Sequence, residues 1–281
     1  MKRIRIIAVV ALSLSACASS APPLETKFMH APLTIDGNET DWDGLLAPMP
    51  NEDRNLAFAA VSDGQDVYIA FATSDQQTVG QMVAMGLTLW FDPAGGSAKT
   101  VGIRFPVGLG ESGLQSLMRG QRGRPDAERL DELFVVSTSA VEIVRDGAEE
   151  GQRFRPGDVR GLDVAASLTM GTLFYELRVP LKPIAGAEVA VDLAEGAMLG
   201  FGMETPKIDM EAMREQMMQQ RGGGGGRPGG GGMPGGGMMG SGGGMPGGGM
   251  PGGGMRGGPS MPQPVKIWRQ IDVYSVEKAE Q

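Results

Sequence analysis

The sequence predicts an all-β domain, built as an antiparallel β-sandwich. Three observations lead there. Short segments alternate apolar and polar residues, and turns rich in Gly, Pro and Asp separate them. The apolar members of a segment share one face, as in Leu87, Leu89 and Phe91, or in Leu173, Tyr175, Leu177 and Val179. Without its N-terminal segment and a Gly-rich stretch, the 281-residue chain retains roughly 200–220 residues, enough for one such domain or two small ones. Hydrophobic residues make up 41% of the chain and there is one Cys, so no disulfide can form within it and a packed core must supply the stability.

The strands follow in order. Leu56 to Val61 and Val67 to Thr73 flank Ser62-Asp63-Gly64-Gln65, a hairpin turn in which Gly64 can take positive φ. Gly86 to Phe91 ends at Asp92-Pro93-Ala94-Gly95-Gly96, and Thr100 to Phe105 follows. Leu133 to Ser137, Ala140 to Val144 and Leu162 to Leu168 read as strands, and Leu173 to Val179 stops at Pro180. Met198 to Met203 and Val265 to Val276 complete the set. Two short helices are expected, one over Pro125 to Leu133 with Pro125 in its first turn. The other covers Asp209 to Gln220, where Met210, Met213 and Met217 share a face.

Residues 221–264 are of low complexity. Met-Pro-Gly-Gly-Gly recurs at period five, as at Met245 and Met250, with Met255 in step. Glycine loses the most backbone freedom on ordering, and this stretch has little apolar surface to offset the loss. It is expected to be disordered, a long Gly/Met/Pro-rich loop between the last two strands. Loop-closure entropy grows slowly with length, so a sandwich tolerates it. The period suits neither collagen nor a solenoid.

The N-terminus begins Met1-Lys2-Arg3-Ile4-Arg5, and Ile6 to Leu14 is almost wholly apolar. A basic start, an apolar run too short to span a bilayer and small residues before a cut site make a secretory signal. Leu14-Ser15-Ala16-Cys17 resembles the bacterial lipobox, in which the cysteine is acylated and becomes the new N-terminus. That resemblance implies a signal peptide over 1–16, lipidation of Cys17 and a lipidated tether over 17–32, where Pro22, Pro23 and Pro32 interrupt any pattern. Ala18 after the cysteine implies the outer membrane, with the domain facing the periplasm or the cell surface. The formal net charge of −8 leaves nothing to gain from counterion release on nucleic acid, which is excluded as a partner.

Leu33-Thr34-Ile35-Asp36-Gly37, then Asp41-Trp42, resembles the opening of carbohydrate-binding module family 9 and its DOMON-type relatives. Asp66-Val67-Tyr68-Ile69-Ala70-Phe71 is similar to the family's second hairpin strand, followed by Ser74-Asp75. Leu87 to Pro93 resembles the strand that ends in an acidic turn, and Thr172 to Pro180 the late strand in which a Glu precedes an apolar residue and a Pro. The resemblance implies a jelly-roll-like sandwich over 33–220 and 265–278, interrupted by the insert.

The faces opposite the apolar sets carry Thr88, Trp90, Arg104, Glu176, Arg178, Trp268, Gln270, Asp272 and Tyr274. An indole beside hydrogen-bonding groups suits a sugar ring, whose apolar face stacks while its hydroxyls find polar partners. If these strands are neighbours, Trp90, Arg104, Glu176, Arg178, Trp268, Gln270 and Asp272 form one ligand platform. Trp90 and Trp268 have a second reading, as indoles covered by a packed helix or loop, which is the commoner fate of a tryptophan. Trp42 is assigned to the core or to a plug at a strand end.

Other constellations are weaker. Asp36, Asn38, Asp41 and Asp43 crowd one loop, and oxygen ligands at alternate positions suit calcium, although the EF-hand pattern is absent. The spaced methionines of the insert offer thioethers to copper(I), but without histidine. His30, the single histidine, lies in the tether, which leaves a haem site and a Ser-His-Asp triad without their imidazole. Gly108-Leu109-Gly110-Glu111-Ser112-Gly113 matches a dinucleotide fingerprint literally and lacks its strand–helix context. Arg119, Arg122, Arg124 and Arg129 read as a solvated basic cluster. No cofactor and no enzymatic activity are expected. The sequence points to a non-catalytic, lipid-anchored envelope module that binds a glycan. The alternatives are a scaffold lipoprotein that contacts an envelope protein through the Gly/Met-rich loop, and a Met-rich copper binder.

Overall fold

A computed structural model describes residues 23–50, 52, 54–110, 113, 127–207 and 263–273. Cys17, the helix expected over 209–220, Tyr274 and residues 221–262 of the insert lie outside the described residues, as do Arg119, Arg122 and Arg124.

The described chain is an antiparallel β-sandwich that also carries helices and a short 3-10 turn. In order it runs β1 (Leu24–Glu25), β2 (Lys27–Phe28), the 3-10 turn (Glu39–Trp42), β3 (Ala47–Pro48), β4 (Leu56–Ser62), β5 (Asp66–Thr73) and α1 (Gln76–Met85). Then come β6 (Thr88–Asp92), β7 (Val101–Arg104), α2 (Ala127–Ser137), β8 (Val141–Arg145) and β9 (Gln152–Phe154). β10 (Asp163–Thr169), β11 (Thr172–Pro180), β12 (Met198–Glu204) and β13 (Lys266–Asp272) close the domain. One sheet has seven strands in the order β1-β13-β12-β6-β7-β8-β9. The other has six, in the order β10-β11-β5-β4-β2, with β3 also on β4.

The alternation places the apolar faces against each other. Leu89, Phe91, Ile103, Leu199, Phe201, Met203, Ile267 and Ile271 of the seven-stranded sheet meet Phe58, Ile69, Phe71, Leu173, Tyr175 and Leu177 of the other in one buried cluster. Phe58 and Phe201 join the layers with ring centroids 5.3 Å apart, and Phe71 stacks on Tyr175 at 4.8 Å. Each large apolar side chain removed from water stabilises the sandwich by roughly 1.5–3 kcal/mol. This is where the stability of a chain without a disulfide comes from.

Three sequence expectations are corrected here. Leu133 to Ser137 is the C-terminal part of α2, with Leu130 and Leu133 turned to the core, and is not a strand. The period from Leu130 to Leu133 is helical, and Val135 and Val136, read as strand formers, are simply exposed. Secondly, α1 was not foreseen. Asp75 caps it, its carboxylate accepting from the Thr78 N–H at 2.8 Å, and Val79, Met82 and Val83 are fully buried at helical spacing. Thirdly, the segment read as tether enters the fold by residue 24. β1 pairs in parallel with β13 (Leu24 opposite Ile271), and β2 pairs in parallel with β4 (Lys27 opposite Val61). Between them Thr26 donates both its N–H and its hydroxyl to the Asp272 carbonyl, so one short strand passes from one sheet to the other.

β12 and β13 pair from Met198 opposite Asp272 to Glu204 opposite Lys266. Beyond the last pair, the Thr205 N–H donates to the Val265 carbonyl and the Val265 N–H to the Thr205 hydroxyl, both at 3.0 Å. The long insert therefore leaves and re-enters at a closed hairpin neck, which explains how the sandwich tolerates it.

Candidate functional site

The seven residues of the predicted platform divide between two faces. Trp90, Arg104, Trp268, Gln270 and Asp272 lie on the outer face of the seven-stranded sheet, Glu176 and Arg178 on the outer face of the other. β11 neighbours β5 and β10, not β6 or β13, so a single platform is not formed.

Glu176 is fully buried. One carboxylate oxygen accepts the N–H groups of Asp36 (2.5 Å) and Gly37, and the other accepts the indole N–H of Trp42 at 2.8 Å. Gly37 presents its N–H from a φ of 86°, which suits glycine. The Ile-Asp-Gly and Asp-Trp steps are thus the two ends of a bolt. They fasten the segment from Met29 to Leu46 over Ala59, Val61, Tyr68, Ala70 and Phe174 in a second apolar cluster. Burial, the largest influence, pushes the Glu176 carboxyl above its usual range, while the three N–H groups pull it back. Arg178 is held by Asp163 (2.6 Å) and Asp66 (3.2 Å) beside Tyr68, whose hydroxyl donates to Asp63. Neither residue is free to face a ligand as the platform required.

Three of the four calcium candidates in the acidic loop, Asp36, Asn38 and Asp41 but not Asp43, use their side chains locally as well. Asp36 accepts from the Asn38 N–H, Asn38 caps the 3-10 turn through the Thr40 N–H and hydroxyl, and Asp41 accepts from the Thr34 N–H. Among the described residues no three His, Cys, Asp or Glu side chains converge as a metal site.

The outer face of the seven-stranded sheet is different. Trp268 pairs with Gly202 and Trp90 with both Gly202 and Gly102 across neighbouring strands. The indole of Trp268 lies on Gly202 and that of Trp90 on Gly102. A Cβ at either glycine would stand 2.7 Å and 2.6 Å from the ring. Glycine inside a strand allows that close approach. Trp268 remains half-buried, its Nε1 donating to Glu204 at 2.9 Å. Trp90 is only 4% exposed. Its other face is covered by Lys99, whose ammonium lies 5.3 Å from the ring centroid and pairs with the second oxygen of Glu204. Glu204 therefore holds both the nitrogen of one indole and the cover of the other.

Beside Trp90 is an open cleft of about 420 Å³, lined also by Thr88, Lys99, Arg104, Glu204 and Lys207. Arg104 is fixed there by the Thr88 hydroxyl (3.2 Å), the Glu142 carboxylate (2.9 Å) and the Glu149 carbonyl (2.9 Å). Glu142, buried, also holds Arg153 and the Gly151 N–H. Gln270 is exposed and donates to the Gly95 carbonyl at 2.7 Å, and Asp272 lies at the β1 clamp, so both sit at the far end of the face from the cleft. The site that results keeps Trp90, Arg104 and Trp268 from the sequence reading and adds Lys99, Glu204 and Lys207. Glu204 continues the outward series Gly200, Gly202 and was readable from alternation. Lys99 lies in the β6–β7 loop, where no period places a side chain.

No protein-family model matches the sequence, and no curated protein matches it. Among solved structures the chain is similar to a carbohydrate-binding module of family 9 from Caldicellulosiruptor kristjanssonii. In complex with glucose it is 13% identical, over 67% of this chain and 80% of that one, with a TM-score of 0.32. In complex with cellotriose the values are 12%, 67%, 78% and 0.32. A Bacteroides uniformis protein, provisionally assigned as carbohydrate-binding, is 9% identical over 65% of this chain and 82% of its own, with a TM-score of 0.32. The sandwich stands on the strand pairing above, and the site on this chain's own residues.

Proposed function

We propose that this protein is a non-catalytic binding module for a glycan, held at the outer membrane through an acylated Cys17 and facing the periplasm or cell surface. The observation that carries the reading is the part-exposed indole of Trp268. It lies flat on Gly202 and donates its N–H to Glu204, a carboxylate that also lines the cleft together with an ammonium, a guanidinium and a hydroxyl. A rigid exposed indole offers stacking to the C–H face of a sugar, and the surrounding donors and acceptors match its hydroxyls.

The test is retention on a glycan array. The wild-type domain binds a member of the array, Trp268→Ala loses that binding, and both remain folded at the assay temperature by circular dichroism. Equal retention by the variant removes the reading. Acylation is tested separately by mass spectrometry of a membrane fraction. A mature chain that begins anywhere but a lipid-modified Cys17 removes the anchor.

A further inference from the structure

We propose that the cleft selects a glycan with an anionic substituent, such as a uronate carboxylate, which takes Lys99 from Glu204 and uncovers Trp90. This rests on the glycan reading above and adds the class of sugar.

The chain as a whole carries −8, whereas the cleft lining sets Lys99, Arg104 and Lys207 against Glu149 and Glu204, so positive side chains outnumber negative ones there. A local excess of cations on an acidic protein offers an anion a place that the rest of the surface does not. The three cations are not equivalent. Arg104 has a partner on each guanidinium nitrogen and is bound to the buried Glu142. It is a fixed charge. Lys99 is 40% exposed at its side chain and is held by Glu204 and the face of Trp90. A flexible, solvent-reached ammonium in one ion pair exchanges partners readily.

Geometry supplies the second half. Trp90 sits on the outer face of the sheet, with the Gly102 backbone beneath it and Lys99 above. Any ligand that stacks there must first move Lys99. A neutral sugar would break the Lys99–Glu204 pair with nothing to replace it. An anionic sugar replaces the lost carboxylate with its own, so the ammonium stays paired while the indole opens. Glu204 keeps Trp268 in place throughout, because its other oxygen holds that Nε1. Glu204 thus acts as an internal competitor for the ligand, and Lys99 as the specificity-determining residue.

The experiment compares acidic glycans with their carboxyl-reduced counterparts on one array, using wild type, Lys99→Met and Glu204→Gln. Gln keeps an oxygen for Trp268 and removes the competing charge. Wild type is expected to prefer the acidic member of a matched pair by about fivefold or more. Lys99→Met should abolish that preference, and Glu204→Gln should increase it. In the unliganded protein Glu204→Gln should also raise acrylamide quenching of Trp90, measured in a Trp268→Phe background where Trp42 stays buried. Equal binding of both members, unchanged in Lys99→Met, overturns the inference and leaves the glycan reading standing. No retention of any member by wild type overturns both. Quenching unchanged by Glu204→Gln overturns the role of Lys99 as a cover.

Discussion

The two outer faces of this sandwich carry the same kind of residue and treat it in opposite ways. On the six-stranded sheet, Trp42 comes from a separate segment, is fully buried, and hands its indole N–H to the buried Glu176. On the seven-stranded sheet, Trp268 comes from the strand itself, lies flat on Gly202, and hands its indole N–H to the part-exposed Glu204. Both pairs are a tryptophan donating to a glutamate. In one, the surroundings are apolar and the chain folds over the top, so the pair fastens structure. In the other, glycines clear the floor and a cleft remains, so the pair orients a surface. The chemistry of the pair does not decide its role; its cover does.

The comparison can be broken most severely at Trp42. Trp42→Ala leaves a large cavity and a buried Glu176 carboxylate with two of its three N–H donors, and should cost about 3–5 kcal/mol, read by denaturant unfolding. Trp268→Ala, on the other face, should cost less, about 1–2 kcal/mol, since its ring stays partly in water. Equal losses would mean that the two pairs have the same role.

The glycine floor gives the next effect. Gly102→Ala puts a Cβ 2.6 Å from the buried ring of Trp90 and should cost about 1–3 kcal/mol. Gly202→Ala meets the ring of Trp268, which is part-exposed and gives way at the expense of its bond to Glu204, and should cost less in unfolding experiments. A reversed order would show Trp268 to be the more firmly packed indole.

The smallest effect is in pH. Burial holds the folded-state pKa of Glu176 above its ordinary value of 4.5. A carboxyl raised by folding takes up a proton as the chain folds. Its contribution to stability is present below about the ordinary value and is lost as pH rises through the folded-state value. Glu176→Gln removes that dependence. Wild type minus Glu176→Gln stability, followed from pH 4 to pH 7, should therefore fall as pH rises. A difference that rises instead would show the three N–H groups to outweigh burial.

Much of the sandwich was legible because strand alternation is a local signal. Leu87, Leu89 and Phe91, and the apolar set of β11, went where period two sent them. α1 announces itself only through Asp75 and the spacing of Val79, Met82 and Val83, a signal of ten residues set between strands of period two. Leu133 to Ser137 was misread because β-branched residues at the end of a helix look like a strand start. The β1–β2 clamp rests on two-residue pairings, too short to leave any pattern. For the site, Trp90, Arg104 and Trp268 were readable as outward residues, and Glu176 and Arg178 were outward too, but over the wrong sheet.

The sequence by itself determined which side of each strand meets the core and where the turns fall, because neighbouring residues in an extended chain must point to opposite faces. Only the tertiary structure decided which strands stand side by side, which outer face the N-terminal segment covers, and that Lys99 reaches from a loop to roof Trp90. Those are pairings between residues far apart along the chain. Their choice depends on how all the buried surfaces fit at once, and no local period records it.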